Sequence, residues 1–166
     1  MLHKTSQERY GKLKKVFHRL KRNFNADDLE EFVLTANSLR EWILQDPALS
    51  QEQKNHVQRF TVPQSLDWQI CHEIANVQKH GKQNNHGNTP TLVKSVQVET
   101  GMGTGFAVPP TMRIVGAGDK ITFKCGDREE SALAFVVRTF KHFHYIFEIA
   151  PIPVGQRDVS LLDNIF

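Results

Sequence analysis

Leu66-Asp67-Trp68-Gln69-Ile70-Cys71-His72-Glu73-Ile74-Ala75-Asn76-Val77-Gln78-Lys79-His80 reads as one helix with two chemically opposed faces. At about 100° per residue, Leu66, Ile70, Ile74 and Val77 fall on one stripe, and Gln69, His72, Glu73, Asn76 and His80 gather beside it. Such a segment buries its aliphatic edge only against other helices, which makes the rest of the chain a search for partners. Its polar edge is where imidazole, carboxylate and amide groups concentrate. That edge reads equally as a solvated face or as hydrogen bonding between helices.

Upstream, Tyr10, Leu13, Val16, Phe17, Leu20 and Phe24 recur at three- and four-residue steps, which predicts a helix from about 4 to 24. Asn25 offers an N-cap, with Asp27 and Asp28 in the first turn of a second helix to about Gln45. Leu29, Phe32, Val33, Ala36, Leu39 and Ile43 form its buried stripe. Asp46-Pro47 stops it, because proline disfavours helical geometry in the residue before it. Ser50 and Gln53 resemble a capping box for a short helix to about Phe60, and Pro63 and Ser65 introduce the segment quoted above.

Downstream the texture changes. Gly81, Asn84, Asn85, Gly87, Asn88 and Pro90 make a polar loop. Val96 with Val98, Met112 with Ile114, and Ile121 with Phe123 and Cys125 alternate with the period of half-buried strands, and Gly116-Ala117-Gly118-Asp119 should turn a hairpin. A last helix begins at Asp127 or Arg128, carries Leu133, Val136, Val137, Phe140, Phe143 and Phe147, and ends at Pro151 and Pro153. The predicted fold class is mainly α: an up-and-down bundle of four to five helices with a small antiparallel β-ribbon before the last long helix. Residues 1–150 form one domain with the insertion at about 91–126, and 151–166 form a C-terminal tail.

The chain has 166 residues, 39% of them hydrophobic, enough for one core and too few for two. Its net charge is only +3, but eight cations against Glu8 alone give residues 1–22 a local excess of seven, leaving −4 for the remainder. Lys12, Lys15, Arg19 and Arg22 are the candidate contacts to a polyanion, the alternative being a solvated helix face. Cys71 and Cys125 read as small buried apolar residues rather than a disulfide framework, which suits a reducing cytosol. With no leader pattern and no apolar run near the ~18 residues a membrane span needs, a soluble cytoplasmic protein is expected.

His72-Glu73-Ile74-Ala75-Asn76 approaches the zincin pattern, but Asn76 occupies the second ligand position and an amide is a poor zinc ligand. His80 lies about 12 Å from His72 along the axis. No metal and no cofactor is expected. Gly101-Met102-Gly103-Thr104-Gly105 lacks the Lys-Ser/Thr pair and following helix of a phosphate loop and reads as a hairpin connection. His142 and His144, flanking Phe140, Phe143, Tyr145 and Phe147, read as core packing or rim hydrogen bonding.

Asn76-Val77-Gln78-Lys79-His80 resembles the Asn-x-x-x-His part of the Arg-Asn-x-x-x-His signature of HEPN domains, helical bundles of prokaryotic toxins, defence proteins and RNA-processing factors. Asn37-Ser38-Leu39-Arg40-Glu41-Trp42, the Glu73 to His80 stretch, and Gly126-Asp127 followed by Ala132-Leu133 resemble an uncharacterised bacterial branch with this helix, hairpin, helix order. The resemblance implies a homodimer whose groove cuts RNA without a metal, or a degenerate form of it in a toxin–antitoxin or phage-defence setting. His80 would handle protons and Asn76 would orient the phosphate or ribose. The signature arginine is absent: its slot is Ala75, so charge on phosphate falls to Lys79, Lys82 or Arg40. Glu73, His72 and Arg40 would support the groove. These roles agree with chemistry that needs a group titrating near neutrality and a cation beside developing charge. The alternative is a non-catalytic interaction or scaffolding subunit that docks a larger protein through the 152–166 tail.

Overall fold

The computed structural model describes residues 5–61, 65–80, 93–99, 118–125 and 127–165, the side chains of 77–80, 93–99 and 164 excepted. It is mainly helical, with five helices and a small antiparallel sheet before the last long one. Helix α1, Ser6–Arg22, starts at a reciprocal capping box: the Glu8 amide donates to Thr5 Oγ1 at 3.1 Å and the Thr5 amide to Glu8 Oε2 at 3.3 Å. Helix α2, Ala26–Gln45, is capped by Asn25, which accepts from the Asp28 amide at 2.9 Å, and it ends at Asp46 before Pro47. The Asp46 carboxylate accepts from both the amide and the hydroxyl of Ser6, joining the end of α2 to the start of α1. The two helices therefore form an antiparallel hairpin. Those hydrogen bonds, the Ser6 hydroxyl first, hold the Asp46 carboxyl below the usual carboxylate range.

Helix α3, Gln51–Phe60, has the expected Ser50–Gln53 capping box, and α4, Leu66–His80, begins with Ser65 Oγ accepting from the Trp68 amide at 3.4 Å. Ile70, Cys71 and Ala75 of α4 are buried, and the Cys71 thiol donates to the Val33 carbonyl of α2. Helix α5, Ala132–His144, buries Phe135, Val136, Thr139, Phe140 and Phe143. It runs into a π-helical turn, Tyr145–Ile149, closed by the Ala150 amide donating to the Tyr145 carbonyl at 2.8 Å. The core is aromatic where α1 meets α5. Phe17 lies face to face with Phe140 at 3.9 Å and 5°, and Tyr10 with Phe147 at 4.5 Å and 10°.

Strands β1, Val93–Glu99, β2, Lys120–Cys125, and β3, Arg128–Ser131, lie in the order β1-β2-β3, all antiparallel. Ile121, Phe123 and Cys125 of the central strand turn to the core, where Phe123 meets Phe135 edge-on at 5.5 Å. The ribbon thus has a third strand where the sequence suggested helix. The last helix begins at Ala132 rather than at Asp127 or Arg128: Arg128 to Ser131 pair with β2, and Ser131 supplies the cap, accepting from the Ala134 amide at 3.3 Å. The strand wins because 128–131 are polar and have no helical stripe to bury, whereas the apolar stripe starts at Ala132.

Gly118-Asp119 anchors the ribbon to the α1–α2 corner, the Asp119 amide donating to the Phe24 carbonyl at 2.6 Å. Met112, Ile114, Gly116, Ala117, the Gly101–Gly105 run and the loop from Gly81 lie outside the described residues. Beyond Ile149 the tail forms two 3₁₀ turns, Val154–Gln156 and Val159–Asn164. Arg157 fixes it: its guanidinium donates to Glu52 of α3 at 2.6 and 3.0 Å and to the carbonyls of Ala150 and Ile152. Lys21 of α1 donates to the Ile165 carbonyl at 2.8 Å. No helix among the described residues is long and apolar enough to cross a membrane.

Candidate functional site

The outer edge of α4 follows from helical spacing. Trp68, His72 and Asn76 stand one turn apart on it, while Ile70, Cys71 and Ala75 face inward. Asn76 Nδ2 lies 3.1 Å from His72 Nε2, and both side chains are exposed. With the amide donating, the neutral imidazole carries its proton on Nδ1, an assignment that rests on this hydrogen bond. The His72 ring stacks on Trp68 at 5.6 Å and 28°. Arg40 of α2 places its guanidinium carbon 5.6 Å from the centre of the Trp68 ring. A ladder results: guanidinium, indole, imidazole, amide.

Arg40 is the most telling member. It is half-buried, its Nε is enclosed without an acceptor, and it makes no ion pair or hydrogen bond among the described residues. Asn37, one turn earlier on α2, has an enclosed Oδ1 without a donor among the described residues. A guanidinium over an aromatic face gains a cation–π contact there, and among the described residues no carboxylate pairs with this one. By contrast, Arg138 beside the start of α4 is consumed by Asp67, with contacts of 2.8 to 3.2 Å, and approaches Glu130 at 3.6 Å.

Of the residues read from the sequence, Arg40, His72 and Asn76 are therefore brought to one edge through Trp68, which sequence reasoning did not single out. The signal was present: Trp68 precedes His72 by one turn and shares its face. Arg40 lies against Trp68 and makes no hydrogen bond to His72, and Glu41 is exposed. Glu73 is half-buried. Burial first, then the charges of Glu130 and Glu73, push the Cys125 thiol up. The side chains of Lys79 and His80, and all of Lys82, lie outside the described residues. Among the described residues no three His, Cys, Asp or Glu side chains converge to hold a metal ion.

The basic face of α1 is partly neutralised at home. Lys12 pairs with Glu31 at 3.2 Å, and Arg19 pairs with Asp28 at 2.8 Å and also with Glu31. Lys15 and Arg22 are exposed and carry no ion pair among the described residues. Lys14 reaches Glu148 at 2.6 Å, and Glu148 also accepts from the Tyr10 hydroxyl at 2.9 Å. His144 Nδ1 lies 3.0 Å from that hydroxyl, and His142 is stacked between Phe60 and His56, so both histidines take the packing and rim roles expected of them. Known protein families, curated proteins and solved structures were compared with the chain, and none matches.

Proposed function

We propose that the chain is a HEPN-like module that associates with RNA along the outer edge of α4, as a metal-independent ribonuclease or a degenerate form of one, in a toxin or defence system. The observation that carries this reading is Arg40, a half-buried guanidinium stacked on Trp68 without an acidic partner among the described residues, beside the coupled His72–Asn76 pair. Arg40 stands in for the missing signature arginine at Ala75 by binding the phosphate. His80 exchanges protons with the 2′-hydroxyl and the leaving oxygen, Asn76 orients the ribose or phosphate, and Lys79 adds charge. Two copies of the chain would form the groove. Lys15 and Arg22 supply sequence-independent phosphate contact, a weaker patch than the charge count of α1 suggests.

Purified protein incubated with structured RNA in excess chelator should cleave it. His80→Ala should abolish cleavage, and Arg40→Gln should slow it about 10²-fold, the usual cost of removing one group that stabilises developing charge. Intact RNA in every preparation ends the enzymatic reading. Unaltered RNA mobility in a gel shift ends the association as well.

A second reading, docking of a larger protein through the tail, is favoured by Val154, Val159 and Leu161, which are 77%, 57% and 59% exposed on a segment that Arg157 nevertheless fixes in place. Changing all three to serine keeps the Arg157 contacts. It should reduce partner capture at least tenfold while His80→Ala leaves capture unchanged; undiminished capture by the triple variant in a pull-down ends this reading.

A further inference from the structure

A column of four rings joins α3 to α5 and the π-helical turn. Phe60 stacks on His142 at 4.0 Å and 20°, His142 on His56 at 4.7 Å and 14°, and His56 on Tyr145 at 4.4 Å and 30°. The rings alternate between helices: Phe60 and His56 come from α3, His142 and Tyr145 from α5 and the turn that follows it. Two imidazoles lie adjacent in the middle. Besides this column α3 packs on α2, and its Phe60 meets Phe143 edge-on at 5.8 Å. It buries only Val57 and Gln53; Gln53 donates to the Ile146 carbonyl at 2.7 Å, and Glu52 pairs with Arg157.

We infer that this column is an acid-operated clasp, in which protonation of the His56–His142 pair releases α3 from α5 while the rest of the bundle stays folded. An imidazolium at His142 would find no acceptor or counter-charge among the described residues. His142 Nε2 is enclosed with no hydrogen-bond partner among the described residues, and its neighbours are Phe60, Phe143 and the second imidazole. A charge on one ring faces the other ring, and charges on both repel. Around His56, Arg59 of α3 opposes protonation. Glu52 favours it, but its carboxylate is already engaged by Arg157 of the tail, which also reaches the Tyr145 hydroxyl at 3.4 Å.

Burial, then the charge of His56, pushes the His142 imidazole down to about 3, and burial followed by Arg59 lowers His56. Both groups sit below the value near 6.5 that they have when released. The closed form therefore binds fewer protons than the open one, so its advantage is complete above about pH 6.5 and declines as the pH falls. For His142 the decline continues to about pH 3, each pH unit multiplying the open population about tenfold. Phe60 also meets Trp68 at 6.3 Å, so opening frees one side of the indole that supports Arg40 and His72.

Hydrogen exchange of the amides of 51–60, corrected for intrinsic rates, reads the clasp directly. Between pH 7 and pH 5 their opening should rise about 20- to 30-fold from His142 alone, with α2 remaining more protected than α3 at both values. His142→Phe, which keeps a ring in the column, should flatten this response, and His56→Phe, which removes the second imidazole and its charge from beside His142, should lessen it. Equal protection of α3 at the two pH values, parallel loss across α2 and α3, or an undiminished response in both variants overturns the inference. Should His142→Phe not fold, the wild-type profile and His56→Phe still decide.

Discussion

Replacing Phe17 by alanine is expected to destabilise the fold by about 3–5 kcal/mol, read as a lower urea midpoint at unchanged slope. Phe17 is 1% exposed and lies flat against Phe140, while Tyr10 and Phe147 form the neighbouring stack. Alanine loses the transfer energy of the ring, leaves a cavity that rigid neighbours fill poorly, and removes an aromatic pair worth about 0.5–1.5 kcal/mol beyond its area. Against a total of about 5–15 kcal/mol for a domain of this size, such a loss leaves a substantial unfolded fraction. Phe17→Leu, which keeps most of the volume, should cost less than half as much. A cost below about 1 kcal/mol for the alanine variant would mean that α1 does not rest on α5 as described.

Gly118→Ala is the second large effect, and it acts through the backbone. Gly118 has φ +121°, a conformation that side-chain-bearing residues rarely adopt. A methyl group there would fall on the backbone nitrogen and oxygen of Phe24, nearer than real Cβ atoms come, and neither atom belongs to a side chain that can swing aside. The ribbon must back away from the α1–α2 corner, losing the Asp119 amide bond to Phe24 and the seating of Phe123 on Phe135. A loss of about 2–4 kcal/mol is expected, with faster exchange at Asp119. Gly155→Ala, where a methyl meets open space, is the control and should stay within about 0.5 kcal/mol of the parent. Equal midpoints for the two variants would remove the anchor from this account.

Much of the helical part was legible because its signals are local. Asn25, Asp46-Pro47, Ser50 and Ser65 mark ends through hydrogen bonds within a few residues, and the stripes of α1, α2 and α5 follow a period fixed by helix geometry. The start of α5 was misplaced because Arg128 to Ser131 owe their conformation to pairing with β2, a partner that no local pattern announces. The π turn was invisible for another reason: one extra residue in the turn leaves no mark on composition.

The candidate site was half legible. His72, Asn76 and Arg40 were named, but the indole that connects them depends on how α2 and α4 meet. The cations of α1 misled by count, since Glu31 and Asp28 of α2 answer Lys12 and Arg19 across the hairpin. Arg157 was passed over because its acid, Glu52, lies far away in the chain.

The stacking of Phe17 on Phe140 bears on synthesis at the ribosome. The partners are separated by most of the polypeptide, so the aromatic flank of the first helix emerges long before the segment that covers it. Throughout that interval the nascent chain lacks Phe140 and Phe147, the rings that stack on Phe17 and Tyr10. Hold-up of translation between the ribbon and α5 would therefore prolong exposure of a sticky surface, and chaperone capture or aggregation of stalled chains should centre on the first helix.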